Sequence, residues 1–523
     1  MNILPYILFT FLCGGSIFLH SHSVNDGQIV SKWLFAETGT GVWLLGLSLK
    51  YGKTHIRQCN RPNIHLYYMV ILLLCWGQSL YGILQALHLC HAGGPHTVTG
   101  SFDNPAGFAA CLCAGLPFAY PFLKSKRMKI RRIAYALTGS MIAAICLSQS
   151  RSGIFSMLIV AGIVSLPSFP SVKYKKIALT ALLLILLAGG YLLKKDSANG
   201  RLLIWRCTCE MIKERPFTGW GKEGFTAHYM DYQANDFQAN PQSRFAMLAD
   251  NVSHPFNEYL HVCLIGGIPL LILLAGIGLF LLFCYRRNPS WNGKAALLSL
   301  ISIGLFSFFS YPFSYPFTGI IVLFGCFVLI RQARFRIRVS GRTRTAGAIC
   351  LAGFAFIILY NQVHRIQAER KWKNISDMAL HGKGKEVFPL YEQLKTPLGE
   401  NPFFLYNYAA ELYMEEQYEA CLSVLKECRR HWADYDLEIL FGETYYAQEQ
   451  YAKAIEHFQT AAYMCPAKFT PPYRMYRVYK EMERKEKADS LAREILRKEI
   501  KIPSREIDRI KTELMLEMDN KDS

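Results

Sequence analysis

The residues best suited to chemistry form one short run, Ser253-His254-Pro255-Phe256-Asn257-Glu258-Tyr259-Leu260. Proline is favoured in the first turn of a helix, so the run reads as a helix start with His254, Asn257 and Glu258 at i, i+3 and i+4 on one face. An imidazole, an amide and a carboxylate so placed suit deprotonation of a hydroxyl: His254 as base or hydrogen-bond acceptor, with Asn257 or Glu258 fixing its tautomer. A lone histidine at a helix start is more often a cap, and it is the company of two further polar groups that argues for function.

Two arginines stand apart from the other cations. Arg151, in Ser148-Gln149-Ser150-Arg151-Ser152-Gly153, is the only basic residue in a tight connection between two apolar stretches. It reads either as a site residue or as a headgroup anchor that snorkels to the interface. Arg201 opens Gly200-Arg201-Leu202-Leu203-Ile204-Trp205-Arg206, the start of an amphipathic helix running to about Arg215. Trp205 and Trp220 suit the membrane–water interface, which places this segment on the outer membrane surface. Gly219-Trp220-Gly221-Lys222-Glu223-Gly224 spells GxGxxG, but no strand precedes it and no βαβ unit surrounds it, so dinucleotide binding is rejected.

The elements that must position these residues are membrane helices. The 523-residue chain is 51% hydrophobic and 19% charged, too apolar for an ordinary soluble enzyme, and its apolar residues come in blocks near the ~20 residues that cross a bilayer. Hydropathy predicts about eleven spans, at 3–19, 31–50, 66–88, 107–123, 133–149, 152–168, 176–193, 255–284, 295–311, 314–330 and 346–363. The net charge of +19 suggests nucleic acid until its distribution is examined. Five alternate connections, 50–62, 124–132, 169–176, 285–294 and 331–345, hold 22 Lys and Arg and no Asp or Glu. That is the positive-inside pattern, so the N-terminus is expected in the cytoplasm, with the loop 195–253 and the C-terminal tail outside. Most of the sixteen cysteines lie in apolar spans and act as small hydrophobes. No CxxC pair or dense carboxylate cluster occurs, and neither a metal nor a cofactor is expected.

From His364 onward the composition turns charged and aromatic with helical periodicity. Gly442, Tyr445, Ala454, Phe458, Ala461 and Pro466 fall at tetratricopeptide offsets, and Ala409, Leu412, Tyr418, Cys421 and Leu425 match about 33 residues upstream. The expected organisation is therefore all-α: a polytopic helical bundle over 1–363 and an extracytoplasmic tetratricopeptide-like α-solenoid over 364–523. Such solenoids usually bind peptides or proteins, although a purely structural cap is the alternative.

In order along the chain, Gly100-Ser101-Phe102-Asp103-Asn104-Pro105, Ser150-Arg151, Gly200-Arg201 with Trp205, Pro216-Phe217-Thr218-Gly219-Trp220-Gly221, and His254 with Asn257-Glu258-Tyr259 resemble the O-antigen ligase and polymerase superfamily of bacterial membrane glycosyltransferases. The resemblance covers roughly 100–280. Phe256 stands where many relatives have a second histidine, and the repeat tail is absent from typical lipopolysaccharide ligases. The resemblance implies a GT-C-like enzyme of the bacterial inner membrane that moves a glycan from undecaprenyl pyrophosphate to an acceptor hydroxyl. Arg151 and Arg201 would clamp the pyrophosphate, His254, Asn257 and Glu258 would act on the acceptor, and Asn104, Trp205, Arg206 and Trp220 would support the site. The acceptor is a lipid A core, an exported protein's Ser or Thr, or another lipid-linked repeat unit. A non-enzymatic scaffold or transporter is the contrasting class.

Overall fold

The computed structural model describes residues 3–52, 63–91, 96–165, 195–335, 340–382 and 384–522, with 171, 174, 177, 180 and 181 as isolated positions. Every regular element among them is helical, and the protein is an all-α membrane protein. Helices α1 (Leu4–Phe18), α2 (Ile29–Gly52), α3 (Ile64–Ala86), α4 (Pro105–Gly115, continued by short turns to Leu123), α5 (Met128–Leu147) and α6 (Arg151–Ser165) come first. Then α7 (Lys195–Glu214) and α8 (Gly224–Ala239) precede α9 (Glu258–Arg287), α10 (Trp291–Ser307), α11 (Pro316–Gln332) and the 40-residue α12 (Gly341–Leu380). Helices cover ten of the eleven apolar stretches, while 176–193 lies almost wholly outside the described residues. Five spans (Ile64–Ala86, Pro105–Leu123, Met128–Leu147, Glu258–Arg287 and Gly341–Leu380) are long and apolar enough to cross a membrane, and α1, α6 and α11 are shorter apolar helices. On α9 and α12 large apolar side chains such as Ile272, Leu279, Phe354 and Phe356 are exposed, which suits a hydrocarbon solvent.

The chain divides into two compact units, Met1–Leu192 with Phe256–Glu258 and Ile272–Lys373, and Leu193–Pro255 with Tyr259–Leu271 and Asn374–Ser523. The loop 195–253, grouped with the membrane domain on sequence grounds, is thus found with the C-terminal helices. In the first unit small residues let helices approach: a Cβ on Gly153 of α6 would lie 2.8 Å from the Ala109 Cβ of α4. Ser156 meets Ser302 at 2.9 Å, and Ser302 and Ser299 donate to the carbonyls of Cys113 and Ala114. Serine contacts of this kind hold helices together where lipid offers no hydrophobic drive.

In the second unit α13 (Gly384–Leu398) leads into α14 (Pro402–Met414), α15 (Tyr418–Arg429), α16 (Tyr435–Ala447), α17 (Tyr451–Met464), α18 (Thr470–Glu481), α19 (Lys485–Arg497) and α20 (Arg505–Asp522). Three hairpins, α14–α15, α16–α17 and α18–α19, turn in the same way. Glu416, Glu449 and Glu483 take positive φ of 59°, 59° and 54°. The amides of Gln417, Gln450 and Arg484 close back onto Leu412, Tyr445 and Tyr479, the bond that ends a helix in a left-handed residue. Inside the middle hairpin Gly442 faces Phe458, where a Cβ would come within 2.4 Å of the ring. The hairpins thus repeat at 33 to 34 residues.

The same unit also binds the loop. Arg429 pairs with Asp231 of α8 and with Glu438 at 3.1 Å, the Ala433 amide donates to the Thr226 carbonyl at 2.9 Å, and the buried Gln233 amide donates to the Met464 carbonyl at 2.7 Å. Loop and tail are therefore on one side of the bilayer, which requires an even number of crossings between them. Of the four helices between them, Glu258–Arg287 and Gly341–Leu380 are long and apolar enough to cross.

Candidate functional site

In the first unit the sequence motifs converge on the short connection between α10 and α11. Asn104 caps α4, its Oδ1 accepting from the Gly107 amide at 2.9 Å with Pro105 next. Its Nδ2 lies 2.8 Å from Asp103, 3.2 Å from the Tyr311 hydroxyl and 2.8 Å from the Tyr315 hydroxyl. The Tyr315 hydroxyl in turn donates to Asp103 at 2.8 Å. Three more groups hold the connection: Trp33 Nε1 donates to the Ser314 carbonyl at 2.8 Å, Ser152 to the Phe309 carbonyl at 3.2 Å, and the Phe313 amide to the buried Glu258 carboxylate at 3.2 Å. Arg151 opens α6 immediately before that serine. Its place is set by the Ser148-Gln149-Ser150 turn, in which Gln149 has φ 53° and Ser150 Oγ accepts from the Gly153 amide.

Residues 251–257 are not helical, and α9 begins at Glu258. The expected sharing of one helix face by His254, Asn257 and Glu258 is corrected accordingly. The cause is local: Phe256 takes φ 51°, a left-handed conformation that breaks the helical path, and its ring packs edge-on against Tyr311 at 5.2 Å. Glu258 and Phe256 both engage the connection 308–315, while His254 lies in the second unit.

There the half-buried His254 sits in an irregular segment anchored at both ends. Trp205 Nε1 donates to the Pro255 carbonyl at 3.0 Å. Asn251 Nδ2 donates to Asp434 at 2.6 Å, and Gln233 donates to the Asp250 carbonyl at 3.1 Å. Asp434 is 2% exposed, and burial pushes its carboxyl up to about 6, against the opposing hydrogen bonds from Asn251 and the Asp436 amide. Arg201 and Trp205 lie in α7. Arg206 pairs with Asp236 of α8 at 2.9 Å.

The glycines of Pro216-Phe217-Thr218-Gly219-Trp220-Gly221 serve backbone docking. Helix α9 breaks at Gly266 and Gly267, the latter at φ 71°, ψ −173°, a region open only to glycine. Across the break the Trp220 and Gly221 amides donate to the Leu264 and Ile265 carbonyls, and the Ile268 amide to the Pro216 carbonyl. A Cβ on Gly219 would meet the Leu264 carbonyl at 2.5 Å, and one on Gly267 the Pro216 carbonyl at 2.5 Å. Trp220 also donates to the Met211 carbonyl at 2.8 Å, with the Arg215 guanidinium 3.9 Å above its ring.

Several residues at these sites escaped the sequence reading. Tyr311 and Tyr315 lie in a doubled Ser-Tyr-Pro-Phe at 310–317, a repetition that was there to be noticed. Lys32, 2% exposed, donates to the Ser101 carbonyl and lies 4.3 Å over the Phe102 ring; nothing in its sequence surroundings singles it out.

No curated protein matches the chain. Residues 136–275 match the family model described as O-antigen ligase, a stretch that takes in Arg151, Arg201, the Gly219–Gly267 docking and His254. Over that stretch this membrane protein is similar to the O-antigen ligase family, a likeness that supports a membrane glycosyltransferase of the ligase or polymerase kind.

Proposed function

We propose that the protein transfers a glycan from undecaprenyl pyrophosphate to a hydroxyl of a lipid A core or an exported protein, on the outer face of the bacterial inner membrane. The observation that carries this is the family match over 136–275, which encloses the two arginines and the histidine singled out on chemical grounds. The acceptor hydroxyl attacks the anomeric carbon as the bond from that carbon to the pyrophosphate oxygen breaks. His254 takes the hydroxyl proton, and Arg151 and Arg201 neutralise the charge developing on the departing lipid pyrophosphate. Such a leaving group needs no protonation, so one base suffices. The N-terminus is cytoplasmic, and the hairpins of the second unit are tetratricopeptide-like repeats.

Deleting the gene and analysing surface lipopolysaccharide and glycoproteins in parallel tests the reading, with complementation by Arg151→Lys, Arg151→Ala, Arg201→Lys, Arg201→Ala and His254→Ala. Lysine lacks the planar fork, so Arg→Lys is expected to be impaired and Arg→Ala more so. His254→Ala is expected to abolish transfer. Loss of glycan from lipopolysaccharide alone identifies the lipid acceptor, and loss from proteins alone the protein acceptor. Unchanged glycans in the deletion strain would refute the transferase reading.

A further inference from the structure

The segment carrying His254 has no regular secondary structure between Asp250 and Asn257, so its conformation comes from what holds it. On its C-terminal side the anchor is Trp205, through the Pro255 carbonyl at 3.0 Å. On its N-terminal side Gln233 of α8 holds the Asp250 carbonyl at 3.1 Å, and the further anchors come from the C-terminal helical domain. Asp434, the N-cap of α16, uses both oxygens: Oδ1 accepts from the Asp436 amide at 2.8 Å and Oδ2 from Asn251 at 2.6 Å. Lys501 reaches the Ala249 carbonyl at 3.3 Å and the Asp250 carboxylate at 3.7 Å. Asn251 lies three residues before His254, a reach of at most ~10 Å, so fixing its side chain limits where the imidazole can go.

We propose that the C-terminal domain works in cis as part of the transfer apparatus, with Asp434 as a positioning residue that sets the His254 segment through Asn251. This goes beyond recruitment or capping as roles for the tail, and it rests on the reading of His254 as the group that acts on the acceptor. An anchored carboxylate suits the task because an ionised acceptor makes a shorter and stronger bond to an amide than a neutral one does. General bases act only within hydrogen-bond reach of their proton, and a misplacement of 1 Å costs about 100-fold in rate.

The alternative is that Asp434 only caps α16. Exchanging donor and acceptor separates the two roles, because Asn caps a helix as well as Asp does. Asn251→Asp sets two carboxylates against each other, and Asp434→Asn sets two amides together. The double variant restores one carboxylate and one amide, with the cap kept by the Asn oxygen. Full-length variants are expressed in the deletion strain, which supplies the native donor and acceptor, and transferred glycan is measured beside protein level and trypsin resistance of the second unit. Each single variant is expected to lose roughly 10–100-fold in transfer at unchanged level and resistance, and the double variant to recover most of it. Full transfer by either single variant, no recovery in the double variant, or losses that merely follow protein level would overturn the proposal. His254→Ala serves as the reference: if it transfers normally, the underlying reading fails and this one with it. If it is inactive while the pair variants transfer normally, only the positioning role is lost.

Discussion

Substituting Gly267 by alanine tests how the 216–221 loop is docked onto α9. At φ 71°, ψ −173° a residue with a Cβ is strained by about 1–3 kcal/mol, and the new atom would lie 2.5 Å from the Pro216 carbonyl oxygen and 2.6 Å from Phe217 backbone atoms. Backbone atoms on both sides cannot swing away as a flexible side chain would, so the loop must separate. Separation breaks the bonds from the Trp220, Gly221 and Ile268 amides, each contributing about 1 kcal/mol net. Strain and lost bonds together come to about 4–6 kcal/mol, or roughly 10³–10⁴-fold in the opening equilibrium. Hydrogen exchange followed by mass spectrometry on detergent-solubilised protein reads this as lost protection of peptides covering 216–224. Gly278→Ala is the control, since a Cβ there meets nothing within 4 Å and the change favours a helix by up to about 1 kcal/mol. Unaltered protection in Gly267→Ala, or an equal loss in Gly278→Ala, would sink the docking account.

Asn104→Ala removes the α4 cap and the amide between two tyrosines, and is expected to destabilise by about 1–2 kcal/mol, read as a lower melting temperature by scanning fluorimetry; an unshifted transition would mean that Asn104 does not hold the α10–α11 connection. The raised carboxyl of Asp434, about 6 when folded and ~3.9 when unfolded, binds a proton more readily in the folded state. Its contribution is therefore fully present below about pH 4 and is lost as the pH rises through about 6, on the order of 3 kcal/mol at most. Chemical denaturation at pH 4.5 and 7.5 should accordingly show a smaller stability gain on acidification in Asp434→Asn than in the parent, and equal gains would contradict the buried-carboxylate account. A reporter active only outside the cytoplasm, fused after Ser523, is expected to be active; activity of the complementary cytoplasmic reporter instead would reverse the orientation proposed here.

What was legible in the sequence was local or periodic. Membrane helices announce themselves by apolar length, and the start of α4 by Asn104 followed by Pro105. The hairpin period is written in Gly442 and Phe458, which must meet for the pair to close. The His254 run misled because a proline permits a helix start without compelling one, and the left-handed Phe256 depends on the Tyr311 ring, 55 positions later. Tyr311 and Tyr315 are marked in the sequence only by the doubled Ser-Tyr-Pro-Phe, which does not give their role: each is an ordinary interfacial tyrosine until Asp103 and Asn104 are brought to it. The partnership of Asp434 with Asn251 joins positions 183 apart, and no short-range pattern encodes it.

That long-range partnership has a consequence for biogenesis. The loop helices α7 and α8 emerge from the ribosome more than a hundred residues before α14 to α17, so the buried Gln233 amide must wait for the Met464 carbonyl that it bonds. While it waits, α9 to α12 are made, among them the two long apolar helices Glu258–Arg287 and Gly341–Leu380. The Asn251–Asp434 bond likewise forms only once the tail has been made, so the His254 segment is without that anchor until late in synthesis.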